Sequence, residues 1–183
     1  MPFVTYSREA LSFDTLPAVK TYHYQNCAEE ETVYSYLKLY AGPDGLHLLC
    51  SVFEQAPSPA SRAGFLLAGA DPASPALLCA CAPSGEGVVE LTQGGARRTL
   101  ALQKLPVFCG GDEQGHYWAA EWQLAGELLA PVLPGGVKAG AVFLSNFFKY
   151  WTDRPALGSA FPLPAGGALW DMRGAAEFVV VPY

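Results

Sequence analysis

The segment TVYSYLKLYA, residues 32–41, sets Val33, Ser35, Leu37 and Leu39 on one side of an extended chain and Tyr34, Tyr36, Lys38 and Tyr40 on the other. A period of two predicts a strand with one aliphatic face to bury and one amphipathic face. Gly42-Pro43-Asp44-Gly45 follows, a turn by its chemistry, because proline presets φ and glycine tolerates positive φ. GLHLLCSVFE then reads as the returning strand, so the pair is a hairpin with a four-residue loop.

The same pattern recurs along the chain. Strands are expected at 62–70, 76–82, 87–92, 98–103, 116–124, 139–151 and 176–183. Turn clusters separate them: Ala56-Pro57-Ser58-Pro59, Asp71-Pro72, Pro83-Ser84-Gly85, Gly94-Gly95, Gly110-Gly111-Asp112 and Pro134-Gly135-Gly136. LAGELLAPVL, 124–133, departs from the pattern by placing Leu124, Leu128, Leu129 and Val132 at helical spacing ahead of Pro134, which predicts one or two helical turns. The expected fold is all-β, an antiparallel jelly-roll-like β-sandwich with one short helix near residues 124–133. At 183 residues, without an internal repeat or a long linker, residues 1–183 are expected to form a single domain.

Charge narrows the partners. Eleven basic against 17 acidic residues give −6, and the sole adjacent basic pair is Arg97-Arg98, so neither nucleic acid nor an anionic membrane surface is an expected partner. Apolar runs fall short of the roughly 20 residues a spanning helix needs. The start MPFVTYSREALSF lacks the layout of a secretory signal, so a cytoplasmic location is expected. The five cysteines, Cys27, Cys50, Cys79, Cys81 and Cys109, are an odd number, and several fall in apolar strand-like runs, which suits buried free thiols. Cys79-x-Cys81 has no matching Cys/His pair, so no metal and no cofactor are expected.

Enzyme signatures are missing: there is no G-x-S-x-G elbow, phosphate loop, H-E-x-x-H or dinucleotide fingerprint. His23, His47 and His116 lie in separate predicted strands, Glu29-Glu30-Glu31 reads as a solvated turn, and Glu54, Glu90, Glu121 and Glu127 do not pair by spacing. No catalytic residue is assigned. In HYWAAEWQL, Trp118 and Trp122 share one face and Glu121 takes the other, the pattern of a core strand with an outward acid.

The positive signal is aromatic. A sugar offers apolar C–H faces ringed by hydroxyls, so sites that hold one combine flat rings with planar polar side chains. Two stretches do so. One is the strand face Tyr34, Tyr36, Lys38, Tyr40, with Tyr22 and Tyr24 upstream. The other is Asn146, Lys149, Trp151, Asp153 and Arg154, followed by Trp170, Asp171 and Arg173. Tyrosines equally serve to cover a sheet face with their hydroxyls in water; the second stretch lies where loops leave strands, a common place for sites. Its first half alternates as well, with Phe147, Lys149 and Trp151 opposed to Asn146, Phe148 and Tyr150, so its two faces cannot serve one site.

The order YSYLKLYAGPDGLHLLCSVFE, YWAAEWQLAGELLAPV, GAVFLSNFFKYWTDRP resembles the bacterial carbohydrate-binding module family 9-like domains, β-sandwiches related to DOMON-type domains. Trp118 to Glu121 before Leu124 to Val132 is similar to the family's W/Y-x-x-E strand end, and Asn146, Phe147, Phe148, Lys149 and Asp153 resemble its N-F-Y-K-x-x-D strand. The resemblance implies sugar gripped between two tryptophans. Trp170 matches the second by position, whereas SPASRAGFLLAG, 58–69, stands in place of the first without a tryptophan. The family's calcium positions have no counterpart, so no metal is carried over.

The leading expectation is a non-catalytic carbohydrate-binding-like domain for an oligosaccharide or monosaccharide, with Trp151 and Trp170 as stacking rings and Asn146, Lys149, Asp153, Arg154 and Asp171 as polar partners. A protein-interaction or homo-oligomerising domain that has kept the fold and lost the sugar site is the alternative, motivated by only 15% charged residues. An unrecognised sugar-active enzyme is the third.

Overall fold

The computed structural model describes residues 2–71, 74–113 and 115–183. Strands β1 (Phe3–Tyr6), β2 (Val19–Lys20) and β3 (His23–Gln25) lead into the hairpin β4 (Ser35–Gly42) and β5 (Gly45–Val52). There follow β6 (Ser61–Ala68), β7 (Ala76–Cys81), β8 (Glu86–Gln93), β9 (Ala96–Lys104), β10 (Val107–Asp112) and β11 (Gly115–Ala125). The helical turn α1 (Gly126–Leu129), β12 (Val142–Trp151), β13 (Leu157–Ser159) and β14 (Ala176–Pro182) complete the order.

These strands join edge to edge in the order β10-β11-β5-β4-β1-β14-β12-β6-β7-β8-β9. The ribbon folds over itself: Leu37, Leu39, Leu48, Cys50, Trp118 and Leu124 from its first half share one buried cluster with Phe65, Leu67, Leu77, Cys79, Val89, Phe143 and Phe147 from its second. The result is a two-layer β-sandwich, with β1 and β14 at the turn from one layer to the other. The pairing is not wholly antiparallel, because β1 runs parallel to both β14 and β4.

The strand boundaries follow the sequence pattern closely, but the hairpin is tighter than expected: Gly42 pairs with Gly45, so the loop is Pro43-Asp44 and not four residues. Gly45 takes φ 134° and lies so close to the Leu124 carbonyl that a Cβ would collide with it. Cys50, Cys79 and Cys81 are buried thiols, whereas Cys27 is half-buried and Cys109 exposed on β10. The helical spacing at 124–133 yields only the single turn α1, which ends at Ala130 before Pro131; Leu129, Val132 and Leu133 still use that spacing to close the core.

One expected turn is a strand. Gly110-Gly111-Asp112 belongs to β10 and pairs with Tyr117, His116 and Gly115. Its glycines make room for a ring, since a Cβ on Gly110 would sit 2.8 Å from the Tyr117 hydroxyl. Of the expected turn Asp71-Pro72, Pro72 lies outside the described residues.

The two outer faces differ. On the second layer Leu66, Leu78, Ala80 and Phe148 are sealed by Leu157, Leu163, Leu169, Trp170 and Met172 from the chain between β12 and β14. On the first layer Tyr36, Lys38, His47, Leu49, Tyr117 and Glu121 stay half-exposed on the outward side of β4, β5 and β11, and there the amphipathic face of the hairpin lies.

Candidate functional site

Register assembles the outer face of the first layer. Tyr40 pairs with His47 and His47 with Gln123; Lys38 pairs with Leu49 and Leu49 with Glu121; Tyr36 pairs with Ser51 and Ser51 with Ala119. Residues directly opposite in an antiparallel pair share a face, so these are successive rows across three strands, each about 7 Å from the next. A last row continues them: the Phe53 amide donates to the Tyr34 carbonyl at 2.9 Å.

Four rings make a ledge at that end. Tyr34 and Phe53 have centroids 5.2 Å apart, Phe53 and Tyr117 5.4 Å, Tyr34 and Tyr36 6.0 Å, and Tyr36 and Phe53 6.3 Å, all tilted. All four residues are half-buried, so each ring is braced by its neighbours while keeping accessible surface. Ser51 and Ala119, both small and buried, complete the row of Tyr36.

At the opposite end the face opens into a cleft of about 610 Å³ lined by Leu11, Phe13, Tyr40, His47, Glu121 and Trp122 among others. The His47 imidazole stacks on Tyr40 at 4.4 Å and 3°, and Phe13 tilts against the same tyrosine at 5.7 Å. His47 Nε2 lies 2.9 Å from Asp44 Oδ1, and Gln123 Nε2 donates to Asp44 Oδ2 at 2.8 Å. The His47 hydrogen bond is the main cause holding the Asp44 carboxyl below its ordinary range, so it remains an anionic acceptor. Burial raises the Tyr40 phenol, which stays protonated. Trp122 Nε1 is buried without a partner among the described residues.

The other residues singled out in the sequence lie elsewhere. Lys149 and Trp151 follow Phe147 on the inner side of β12, at the end of the sandwich, and not on its solvent side. Lys149 is 0% exposed; its ammonium lies 3.1 Å from Glu54 Oε1 and 3.3 Å from the Trp151 ring centroid. Glu54 Oε2 accepts from Ser61 Oγ at 2.7 Å and Trp118 Nε1 at 2.9 Å. Burial pushes the Lys149 ammonium down to about 8, with the Glu54 carboxylate opposing the shift.

Trp151 is 6% exposed, and the Arg154 guanidinium lies 4.9 Å from its centroid while pairing with Glu31 and the exposed Asp153. Beside them is a hollow of about 320 Å³ lined by Tyr150, Trp151, Arg154, Leu157 and Leu169 among others.

Asn146, fully buried, donates to the Phe161 and Gly174 carbonyls at 3.1 and 3.0 Å and accepts from the Phe161 amide at 3.1 Å, tying down the segment that covers the second layer. Trp170 belongs to that cover, half-buried with Arg97 4.8 Å from its ring centroid. Asp171 caps the 3₁₀ turn Met172–Gly174 through the Arg173 amide and pairs with the Arg173 guanidinium at 2.7 Å.

The nine expected residues therefore fall in three places: Tyr34 and Tyr36 on the open face, Lys149, Trp151, Asp153 and Arg154 at the sandwich end, and Asn146, Trp170 and Asp171 at the second layer's cover. Phe53 and Tyr117 were not singled out. Their signals were present, since Phe53 continues the alternation His47, Leu49, Ser51, and Tyr117 shares the outward face of β11 with Glu121.

No family model matches the sequence, and no curated protein matches it either. Solved structures do. A carbohydrate-binding module family 9 domain from Caldicellulosiruptor kristjanssonii, in complex with glucose, superposes with a TM-score of 0.61 at 14% identity, covering 99% of this chain and 95% of that one. The structure described as that organism's module with cellotriose gives 0.59 at 13%, covering 100% and 94%. A candidate carbohydrate-binding protein from Bacteroides uniformis ATCC 8492 gives 0.68 at 10%, covering 98% of each chain. At such identities the likeness is one of fold. The chain is a divergent example of the carbohydrate-binding module family 9-like fold.

Proposed function

We propose that this protein binds carbohydrate without chemically altering it, on the outer face of its first layer. The observation that carries this reading is the continuous surface from the Tyr34, Tyr36, Phe53 and Tyr117 ledge to the cleft at Tyr40, His47 and Glu121. Tilted half-exposed rings meet the C–H faces of sugar units, and Glu121, Gln123 and the Asp44–His47 pair offer acceptors and donors for hydroxyls. The rows together run about 20 Å, room for a short stretch of a glycan chain. That similarly folded modules hold glucose and cellotriose supports the ligand class.

Isothermal titration against soluble oligosaccharides tests the reading. Binding at millimolar affinity or better, weakened at least fivefold by Tyr36→Ala, is the expected result. Absence of binding by every sugar at 10 mM, or an unchanged affinity in the variant, contradicts it.

A second reading places the sugar in the hollow beside Trp151 and Arg154, favoured by its volume of about 320 Å³ and its aromatic and guanidinium lining. Arg154→Ala separates the two, because it removes a wall of the hollow and touches nothing on the open face.

A further inference from the structure

The ledge carries two cations that the protein itself leaves without an anion. Lys20 pairs with Tyr36 across β2 and β4, and Lys38 lies two residues beyond Tyr36 on the same face, so the two lysines flank one ring. Their ammonium groups sit 5.5 Å from the Tyr34 centroid and 5.8 Å from the Tyr36 centroid, near the outer limit of cation–π attraction. Among the described residues neither makes an ion pair; Lys20 shares a side-chain hydrogen bond with Tyr34, the main cause that raises its ammonium above the ordinary range.

The carboxylates of this face lie apart from the two lysines, across the strands or toward the cleft. Glu121 is separated from Lys38 by Leu49, Asp14 lines the cleft, and Asp44 is engaged by His47 and Gln123. The surface is thus cationic beside the ledge and anionic at the cleft. Neutral sugar offers these two ammonium groups no anion; a carboxylate between them gains charge-assisted hydrogen bonds. A chain with a carboxylate on every unit would bring others against Glu121 and Asp14, inside the field of a protein of net charge −6.

We infer that the ligand is a largely neutral glycan carrying isolated uronic-acid units, with one such carboxylate held between Lys20 and Lys38 while its ring stacks on the ledge. This inference rests on the sugar-binding reading of the same face and specifies its substrate class. It assigns Lys20 and Lys38 as specificity-determining residues, with the neutral units running toward His47 and Glu121.

The test compares a glucuronic acid-substituted xylo-oligosaccharide with the same molecule after reduction of its carboxyl to an alcohol, by titration calorimetry on the full chain. The acid form is expected to bind about tenfold more tightly. Raising salt from about 50 to 500 mM should narrow that gap. Lys20→Met and Lys38→Met, at half-exposed positions and checked for folding by circular dichroism, should each shrink it. Equal binding of the two forms by the wild type overturns the inference and leaves sugar binding standing. Tighter binding of an oligogalacturonide overturns the isolated-acid part. Failure of both xylan-derived forms while other neutral oligosaccharides bind also overturns it, and failure of every sugar removes the sugar-binding reading along with it.

Discussion

The Lys149 ammonium and the Glu54 carboxylate meet at 3.1 Å between the two layers, with the lysine side chain wholly buried and the glutamate side chain 8% exposed. The pair closes one end of the sandwich, where Ser61 and Trp118 satisfy the remaining glutamate oxygen and Trp151 lies under the ammonium. Two charges out of water are tolerable only with such complete pairing. Glu54→Gln strips the lysine of its anion while keeping the shape. It should lower stability by about 3–5 kcal/mol, read from urea unfolding at pH 7. A loss under about 1 kcal/mol would show that the charge is compensated by water.

The same pair sets a pH dependence. Between about 8, where the folded lysine titrates, and its ordinary 10.5, the unfolded chain binds a proton that the folded chain has released. The contribution of Lys149 to stability therefore rises with pH across this window. Buried Cys79, Cys81 and Tyr150, whose values burial raises, act in the opposite direction, so the comparison must cancel them. Against a Lys149→Met/Glu54→Leu double variant, the wild type should gain about 2 kcal/mol between pH 7.5 and 9.5. A flat or falling difference contradicts the burial of a charged lysine.

Asn146 predicts a local effect. Its side chain serves the Phe161 amide and the Phe161 and Gly174 carbonyls, so Asn146→Ala leaves buried polar groups unpaired and should cost about 2 kcal/mol. Hydrogen exchange should quicken in residues 161–174 and leave β4 and β5 unchanged. Uniform acceleration across the chain would refute the clamp.

The ledge predicts a division among aromatic residues. Phe53→Ala and Tyr117→Ala each remove a ring that braces its neighbours, and each should weaken sugar binding about five- to tenfold, on the order of 1 kcal/mol per ring. Trp170→Ala, on the opposite layer, should change affinity less than twofold. If the order is reversed in titrations of the three variants, the open face is not the sugar site.

The sequence foretold the fold better than the site. Period-two alternation is a local property, so the β4–β5 hairpin, the inward Trp118 and Trp122 and the outward Glu121 could all be read directly. β1 could not, because four residues carry little pattern and their parallel pairing with β14 joins the two ends of the chain. β10 was hidden by glycines that normally mark turns and here admit the Tyr117 ring. Tyr34 and Tyr36 were visible as a face, but Phe53 and Tyr117 join them only through inter-strand register. Lys149 and Trp151 showed the opposite difficulty: a basic residue beside a tryptophan has the chemistry of a sugar site, and only the ion pair with Glu54 reveals that it faces inward.

The most direct measurement is the location of the bound sugar, mapped by amide and aromatic chemical shifts as the tightest-binding oligosaccharide is titrated into the labelled protein. Shifts concentrated on Tyr34, Tyr36, His47, Phe53 and Tyr117 are predicted. Shifts centred instead on Trp151, Arg154 and Leu169, or none with any sugar at 10 mM, would contradict the account.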